Sequence, residues 1–483
     1  MVETKRTSTG KNAAYQIIYQ ILVTITPLIT TPIVSRELGA ENIGIYQFTL
    51  SIQSYFVLFA MLGFTDYGTR TIAETPRDKN ELSAKFWSIY ILQICSSAIA
   101  IIAYLTYATT IAETPLVALL QGIWVLSSLF NINWFFFGIE QFKLTITRNL
   151  LIKIITVLCI VLFVRKGNNP LIVYICIMTM GDLCSNAVLI PLLSKYVVLS
   201  RPKWVEIKKH IKPVFVLFIP LLAFSVFETM DKTMLGKIGT YKELGYYTNS
   251  SKLFNIPLGI ITGLESVFLP RSAILFSESR DKGFGFLTKS FEIICFFTFA
   301  ITFGIAGCKE KFIPLFFGEG YERCITLTYY FVPVVIVQAI SSFFRTQYLI
   351  PNHKDRLYVI ATFTGAVVNI VLNAVLIPPY GAAGAVISTL IAGTIVCGLQ
   401  FYGTEKDTPL AEWIRTAAVY CVIGLVMLAV MSRLSFDTLN NLCNVVIQVV
   451  TGGTIYIVLV FLYWTLTGKR RWAVEMAKSV LKK

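Results

Sequence analysis

The residues best suited to chemistry lie where charge is least welcome. In the run FETMDKTML, Glu228, Asp231 and Lys232 fall inside a long apolar stretch. Their i, i+3, i+4 spacing puts all three on one face of a helix. A charge at the centre of a membrane-spanning helix costs about 2.5–3.5 kcal/mol on insertion scales, so such groups face a partner or a water-filled cavity. Two readings fit. One is an internal ion pair that tacks segments together; the other is the polar wall of a cavity for a substrate or a coupling cation. The second is favoured because other apolar stretches carry similar faces. Lys252, Asn255, Gly259, Gly263 and Ser266 recur at spacings of 3, 4, 4 and 3, with Gly259 and Gly263 also forming a GxxxG helix-packing signal. Gln16, Gln20, Pro27 and Thr31 share a side of the first stretch, and Gln47, Ser51 and Ser54, then Asp66 and Arg70, mark the second. Asp182 with Asn186, and Asn369 with Asn373, are i, i+4 pairs of the kind that join helices.

Other chemistries lack their residues. The sequence has no G-x-x-x-x-G-K-[ST], no HExxH, no GxSxG and no EF-hand loop. With only His210 and His353 and no CxxC, it offers no credible metal site. The ten Cys mostly lie in apolar runs, where they act as small apolar residues; a Cys308–Cys324 disulfide is not expected. The reading is a protein that is not an enzyme and needs no cofactor beyond a coupling Na+ or H+, driven by an ion gradient or the membrane potential.

The elements that position these residues are membrane spans. The hydrophobic share is 55%, charged residues are 14%, and mean hydropathy is +0.68. About 20 apolar residues cross a bilayer as a helix that satisfies its own backbone hydrogen bonds. Fourteen such stretches are expected, at 14–34, 43–65, 86–110, 115–137, 149–165, 170–193, 213–235, 248–270, 289–308, 325–344, 357–377, 381–401, 415–433 and 442–466. The first is too long for a signal-peptide core and reads as a span. Assigning each Lys and Arg to the nearer span end gives 30 on the amino-terminal side and 10 on the other, with Lys232 and Arg271 set apart. That bias predicts cytoplasmic termini. The net charge of +15 is spread over short gaps rather than a soluble module, which argues against nucleic acid and for anionic lipid headgroups. Arg70 to Lys85 reads as an amphipathic surface helix, and Lys309 to Arg323 as a loop dipping into the interface.

An internal repeat is visible. Leu38-Gly39 and Gly44-Ile45-Tyr46 are echoed by Ile238-Gly239 and Gly245-Tyr246-Tyr247, at offsets of 200 and 201 residues, or six spans. An even number of spans gives both copies one orientation, related by a pseudo-two-fold axis along the membrane normal. The expected fold is all-α, with two six-helix lobes, 1–200 and 201–405, and two further spans plus a basic tail in 406–483.

The opening KNAAYQIIYQILVTITPLITTPIVSRELGAENIGIYQF resembles the start of the polysaccharide-export flippases of the Wzx type. Leu62-Gly63-Phe64 with Gly68-Thr69-Arg70, GYYTNSSKLFNIPLG with Leu269-Pro270-Arg271, and NIVLNAVLIPPYGAAGAVISTLIAG from Asn369 are similar to that family too. The family belongs to the superfamily of multidrug, oligosaccharidyl-lipid and polysaccharide exporters. The resemblance implies a two-lobed transporter of a bacterial plasma membrane that works by alternating access. Its cargo would be an oligosaccharide on undecaprenyl diphosphate, its surroundings membrane lipids and a polysaccharide polymerase or synthase complex. It implies a cavity built from spans one, two, seven and eight, with Arg36, Arg70, Lys232, Lys252 and Arg271 as candidates for attracting the diphosphate. Asp66, Glu228 and Asp231 would pair with them or bind a coupling cation. Spans thirteen and fourteen would shape a groove for the polyprenyl tail. The alternative is a cation-coupled multidrug exporter of the same superfamily, against which the extra pair of spans counts.

Overall fold

Apolar stretches fold as helices because a bilayer offers their backbone no other partner. The computed structural model describes residues 9–469 apart from 77, 166, 405–407, 435 and 437, and the backbone alone at 9–25, 223, 227, 256 and 257. Gln16, Gln20 and the basic tail beyond Lys469 lie outside the described side chains. The helices are α1 Thr9–Met61, α2 Phe64–Glu74, α3 Lys79–Thr110, α4 Pro115–Ser127, α5 Asn133–Gly138, α6 Phe142–Phe163, α7 Pro170–Ala187, α8 Leu189–Leu193, α9 Trp204–Ile238, α10 Tyr241–Glu278, α11 Arg280–Phe317, α12 Glu322–Phe344, α13 Asp355–Tyr380, α14 Ala382–Tyr402, α15 Leu410–Met431 and α16 Asn441–Leu466. No strand occurs among the described residues. The protein is an all-α, multi-pass membrane protein.

Thirteen helices among the described residues are long and apolar enough to cross a membrane. The number is one below the fourteen expected stretches because the first two share α1. Gly39 breaks it with φ 73° and ψ 168°, a conformation in which a side chain is strained. Other boundaries follow local chemistry. Asp78 accepts the backbone N–H groups of Asn80 and Glu81 to start α3, and Asn169 accepts that of Ile172 with Pro170 opening α7. Between α4 and α5 the helix breaks within the fourth span. Buried Gln93 of α3 compensates, donating to the carbonyls of Ser128 (2.8 Å) and Asn131 (3.0 Å) and accepting from Trp134 Nε1 (2.8 Å).

Two expectations change. The charged surface helix begins at Phe64, not Arg70, and ends at Glu74; Lys79 to Lys85 already belongs to α3. Phe64, Gly68 and Ile72 make its buried face at four-residue intervals. The segment from Lys309 is no loop: α11 continues to Phe317, with Lys309 1% exposed against the ring of Tyr329. Cys308 and Cys324 are separate thiols.

Packing divides the chain into two units: residues up to Thr248 with Asn373–Ala382, and Asn249–Leu372 with the chain from Ala383 onward. In the first, α1 packs against α3, α4, α6, α7 and α9. Its aromatic core centres on Trp134, fully buried and stacked on Phe86 with centroids 5.5 Å apart. In the second, α11 packs against α12, α15 and α16 around Phe291, Phe344 and Trp413.

The repeat has a structural counterpart inside the first unit. Gly44 lies against the carbonyl of Tyr241, and Gly245 against the carbonyl of Ala40. Adding 201 to residues 40 and 44 gives 241 and 245, so the two contacts exchange under the repeat. Such reciprocity is the mark of a two-fold-related pair. A Cβ on either glycine would strike backbone, so only glycine allows the approach.

Candidate functional site

The charged triplet on α9 is split by its surroundings. Asp231 is buried, accepting the Tyr247 hydroxyl at 2.8 Å and Asn373 Nδ2 at 2.6 Å. Lys232 is half-buried, and Glu228 and Asp231 are the carboxylates bearing on its charge. Glu228 is exposed. The helical spacing does put them on one side, but that side runs from packed core to open surface. Two residues on, Thr233 donates to Ser51 of α1 at 3.0 Å, tying the two helices by their polar faces.

On α10 the polar stripe is open. Lys252 is half-buried, and Asn255, Thr262, Gly263 and Ser266 are exposed. A Cβ added at Gly259 or Gly263 would meet nothing within 4 Å. GxxxG is therefore not a packing seam among the described residues. Arg271, just past Pro270, is exposed as well.

The other candidates lie apart. Arg36 is exposed three residues before the Gly39 break. Asp66 and Arg70 are exposed on α2, where Arg70 pairs with Glu74 at 3.4 Å. An exposed pair of this kind is worth about 1 kcal/mol or less.

Beside the glycine crossing, Glu113 of the α3–α4 turn accepts Lys237 Nζ at 2.8 Å and the Tyr241 hydroxyl. These hydrogen bonds, that from Lys237 first, hold its carboxyl below the usual carboxylate range. Glu243 of α10 accepts the backbone N–H of Ala382 at 2.9 Å, capping the start of α14.

The paired polar residues join helices, as their spacing suggested. Ser127 of α4 donates to Asp182 at 2.7 Å and accepts from Asn186 at 2.8 Å. Asn369 reaches Thr389 at 3.5 Å. Sequence reasoning passed over two buried acids. Glu292 of α11 pairs with Lys469 at 3.0 Å and accepts Trp464 Nε1 at 3.1 Å. Burial alone would lower the Lys469 ammonium, but the hydrogen bond and charge of Glu292 outweigh it and hold it above its ordinary value. Glu265 of α10 is 1% exposed and accepts the Ser342 hydroxyl at 2.7 Å. Both acids sit in apolar runs, GLESVF and FEIICFF, the same signal that marked Asp231.

With this geometry in hand, known proteins give a consistent picture. A putative O-antigen transporter of Escherichia coli strain K12 is 20% identical over 410 residues, covering 83% of this chain and 97% of that protein. The lipid II flippase MurJ, in an inward closed conformation, superposes with a TM-score of 0.69 at 17% identity, covering 95% of this chain and 99% of MurJ. An inward-facing multidrug resistance MATE family transporter of the MOP superfamily gives a TM-score of 0.57 at 11% identity, over 88% of this chain and all of that one. These two structures establish a shared fold. The profile of the polysaccharide biosynthesis protein family matches residues 9–276, more than half of the sequence. The chain belongs to that family.

Proposed function

We propose that this protein is a flippase for a lipid-linked glycan. It moves an oligosaccharide repeat unit on undecaprenyl diphosphate from the inner to the outer leaflet, for capsule, exopolysaccharide, O-antigen or teichoic acid. The observation that carries the reading is the set of polar residues left open on apolar helices: Glu228 on α9, and Asn255, Thr262 and Ser266 on α10. Thr262 and Ser266 satisfy their hydroxyls on the carbonyls of Gly259 and Gly263, but a carboxylate and an amide turned to lipid are unfavourable, so these faces are taken to meet water and a polar cargo. Arg36, Arg70, Lys232, Lys252 and Arg271 would draw the diphosphate, and Asp231, once released by its donors Tyr247 and Asn373, would hold the coupling cation, Na+ or H+. Family membership and the likeness to an O-antigen transporter support the cargo class.

The lipid tail has a fitting surface within the second unit. A groove of about 440 Å³ runs between α11, α15 and α16, lined by Phe297, Ile301, Phe312, Met427, Val449 and Ile457. It is almost wholly apolar, as a polyprenyl chain requires. These last two spans also weigh against a multidrug exporter. In this reading the lobes are 1–200 and 201–405, with 406–483 as the tail-binding extension, and both termini are cytoplasmic. A polysaccharide polymerase or synthase complex receives the product. The test is conditional depletion in the cell. Lipid-linked oligosaccharide trapped on the inner leaflet is expected; unchanged lipid intermediates with altered drug sensitivity would favour the exporter.

A further inference from the structure

The acids embedded in apolar helices differ in what satisfies them. Asp231 receives two donors on its two oxygens, Asp182 is bonded by Ser127 and Asn186, and Glu292 has Lys469. Glu265 accepts the Ser342 hydroxyl on Oε2 at 2.7 Å. Its Oε1 is equally hidden from solvent and receives no hydrogen bond. Among the described residues no Lys or Arg pairs with it. The charge that bears on it is Arg345, whose guanidinium reaches Ser342 Oγ at 3.4 Å and lies over the Tyr358 ring, one hydroxyl removed from the carboxylate. The Thr346 side chain also bears on the carboxyl as a hydrogen-bonding neighbour, less than Ser342 or Arg345 does.

A second orphan belongs to the residue that bonds the Glu265 backbone. Gln347 is fully buried, and its Nε2 donates to the backbone carbonyl of Glu265 at 2.7 Å. That bond fixes which end of the amide is oxygen, and Gln347 Oε1 has no donor. Two buried acceptors without donors are costly, the more so when one carries a charge. One proton on Glu265 removes the charge and turns one carboxyl oxygen from an acceptor into a donor. The surrounding backbone is unusual as well. Arg345–Leu349 is wound as a π-helical turn, held to α10 by Gln347 and by Ser272, which donates to the Gln347 carbonyl at 2.8 Å. Such turns gather at functional sites.

We propose that Glu265 is a proton-binding site. It is a carboxylic acid in this conformation and gives its proton to water when the turn Arg345–Leu349 rewinds. The carboxylate left behind then takes Arg345 as its counter-ion, in place of Ser342. Its use in coupling rests on the transport reading above; its existence does not.

The test is difference infrared spectroscopy of the full-length protein in lipid nanodiscs at neutral pH, in H2O and in D2O. The expected result is a deuterium-sensitive C=O stretch of a carboxylic acid that disappears in Glu265→Gln. Should Glu265→Gln fail to fold, Ser342→Ala serves instead: losing the donor to Oε2 must shift that band. Absence of the band from the unaltered protein, or a band unmoved by both substitutions, overturns the proposal. Neither outcome depends on which cargo is carried, so a failure here is distinct from failure of the flippase reading.

Discussion

The glycine crossing in the first unit allows a demanding prediction. A methyl group added at residue 44 would overlap the Tyr241 carbonyl, and one at residue 245 the Ala40 carbonyl. Neither obstacle is the end of a flexible side chain; two helix backbones must part. Overpacking costs about 1–3 kcal/mol, and the upper end applies when backbone must move. At about 1.4 kcal/mol per tenfold, 3 kcal/mol lowers the equilibrium constant for the native crossing roughly a hundredfold. Because the contacts exchange under the repeat, Gly44→Ala and Gly245→Ala should cost the same within about 0.5 kcal/mol. Parting the helices once relieves both overlaps, so the double variant should cost clearly less than the sum. Gly259→Ala and Gly263→Ala, which meet nothing, should be neutral or stabilising by up to about 1 kcal/mol. The assay is unfolding of the purified protein with increasing denaturant, one variant at a time. A tolerated Gly44→Ala beside a damaging Gly245→Ala, or full additivity in the double variant, would refute the reciprocal contact.

Further predictions follow from the charged sites. Asp231→Asn and Lys232→Ala should each abolish polymer export at an unchanged protein level, read by surface glycan and immunoblot; Asn keeps the shape and one acceptor for Tyr247 or Asn373. Full export by both would remove the site assignment. Lys469→Met should destabilise by about 3 kcal/mol because it strands the buried carboxylate of Glu292, and Glu292→Gln added to it should recover much of the loss, measured by a double-mutant cycle. Glu113 has a carboxyl pKa lowered on folding, so its bonds to Lys237 and Tyr241 stabilise the protein above the unfolded value of 4.5 and are lost as pH falls through the lower folded value. Glu113→Gln should therefore flatten the acid limb of stability against pH; an unchanged limb would show that other carboxylates set it.

Much of the fold was legible because a bilayer constrains sequence so tightly. Each expected apolar stretch folds into helix, the fourth with a break between α4 and α5, and the repeat read from two Gly-Gly-Tyr pairs reappears as a reciprocal contact. Less legible was where one helix ends and the next begins. Gly39 breaks α1 without a loop, and α11 runs on past Lys309, whose ammonium sits over the Tyr329 ring. Helical spacing grouped Glu228, Asp231 and Lys232 on one side, but only packing showed that Asp231 turns inward to Tyr247 and Asn373. Gly259 and Gly263 carry a packing motif that no neighbour uses among the described residues. Glu265 escaped notice since its significance lies in a missing hydrogen bond, which no one-dimensional pattern records.

The most direct measurement is translocation by the purified protein reconstituted in lipid vesicles. A polyprenyl-diphosphate-linked oligosaccharide would be loaded in the starting leaflet and its arrival in the other followed with a glycan-binding lectin that cannot cross the membrane. Lectin binding should rise under an imposed proton or sodium gradient, and Asp231→Asn should reduce it to the level of empty vesicles. Transfer no faster than in empty vesicles under every gradient and potential, from protein shown to be folded, would contradict the flippase assignment.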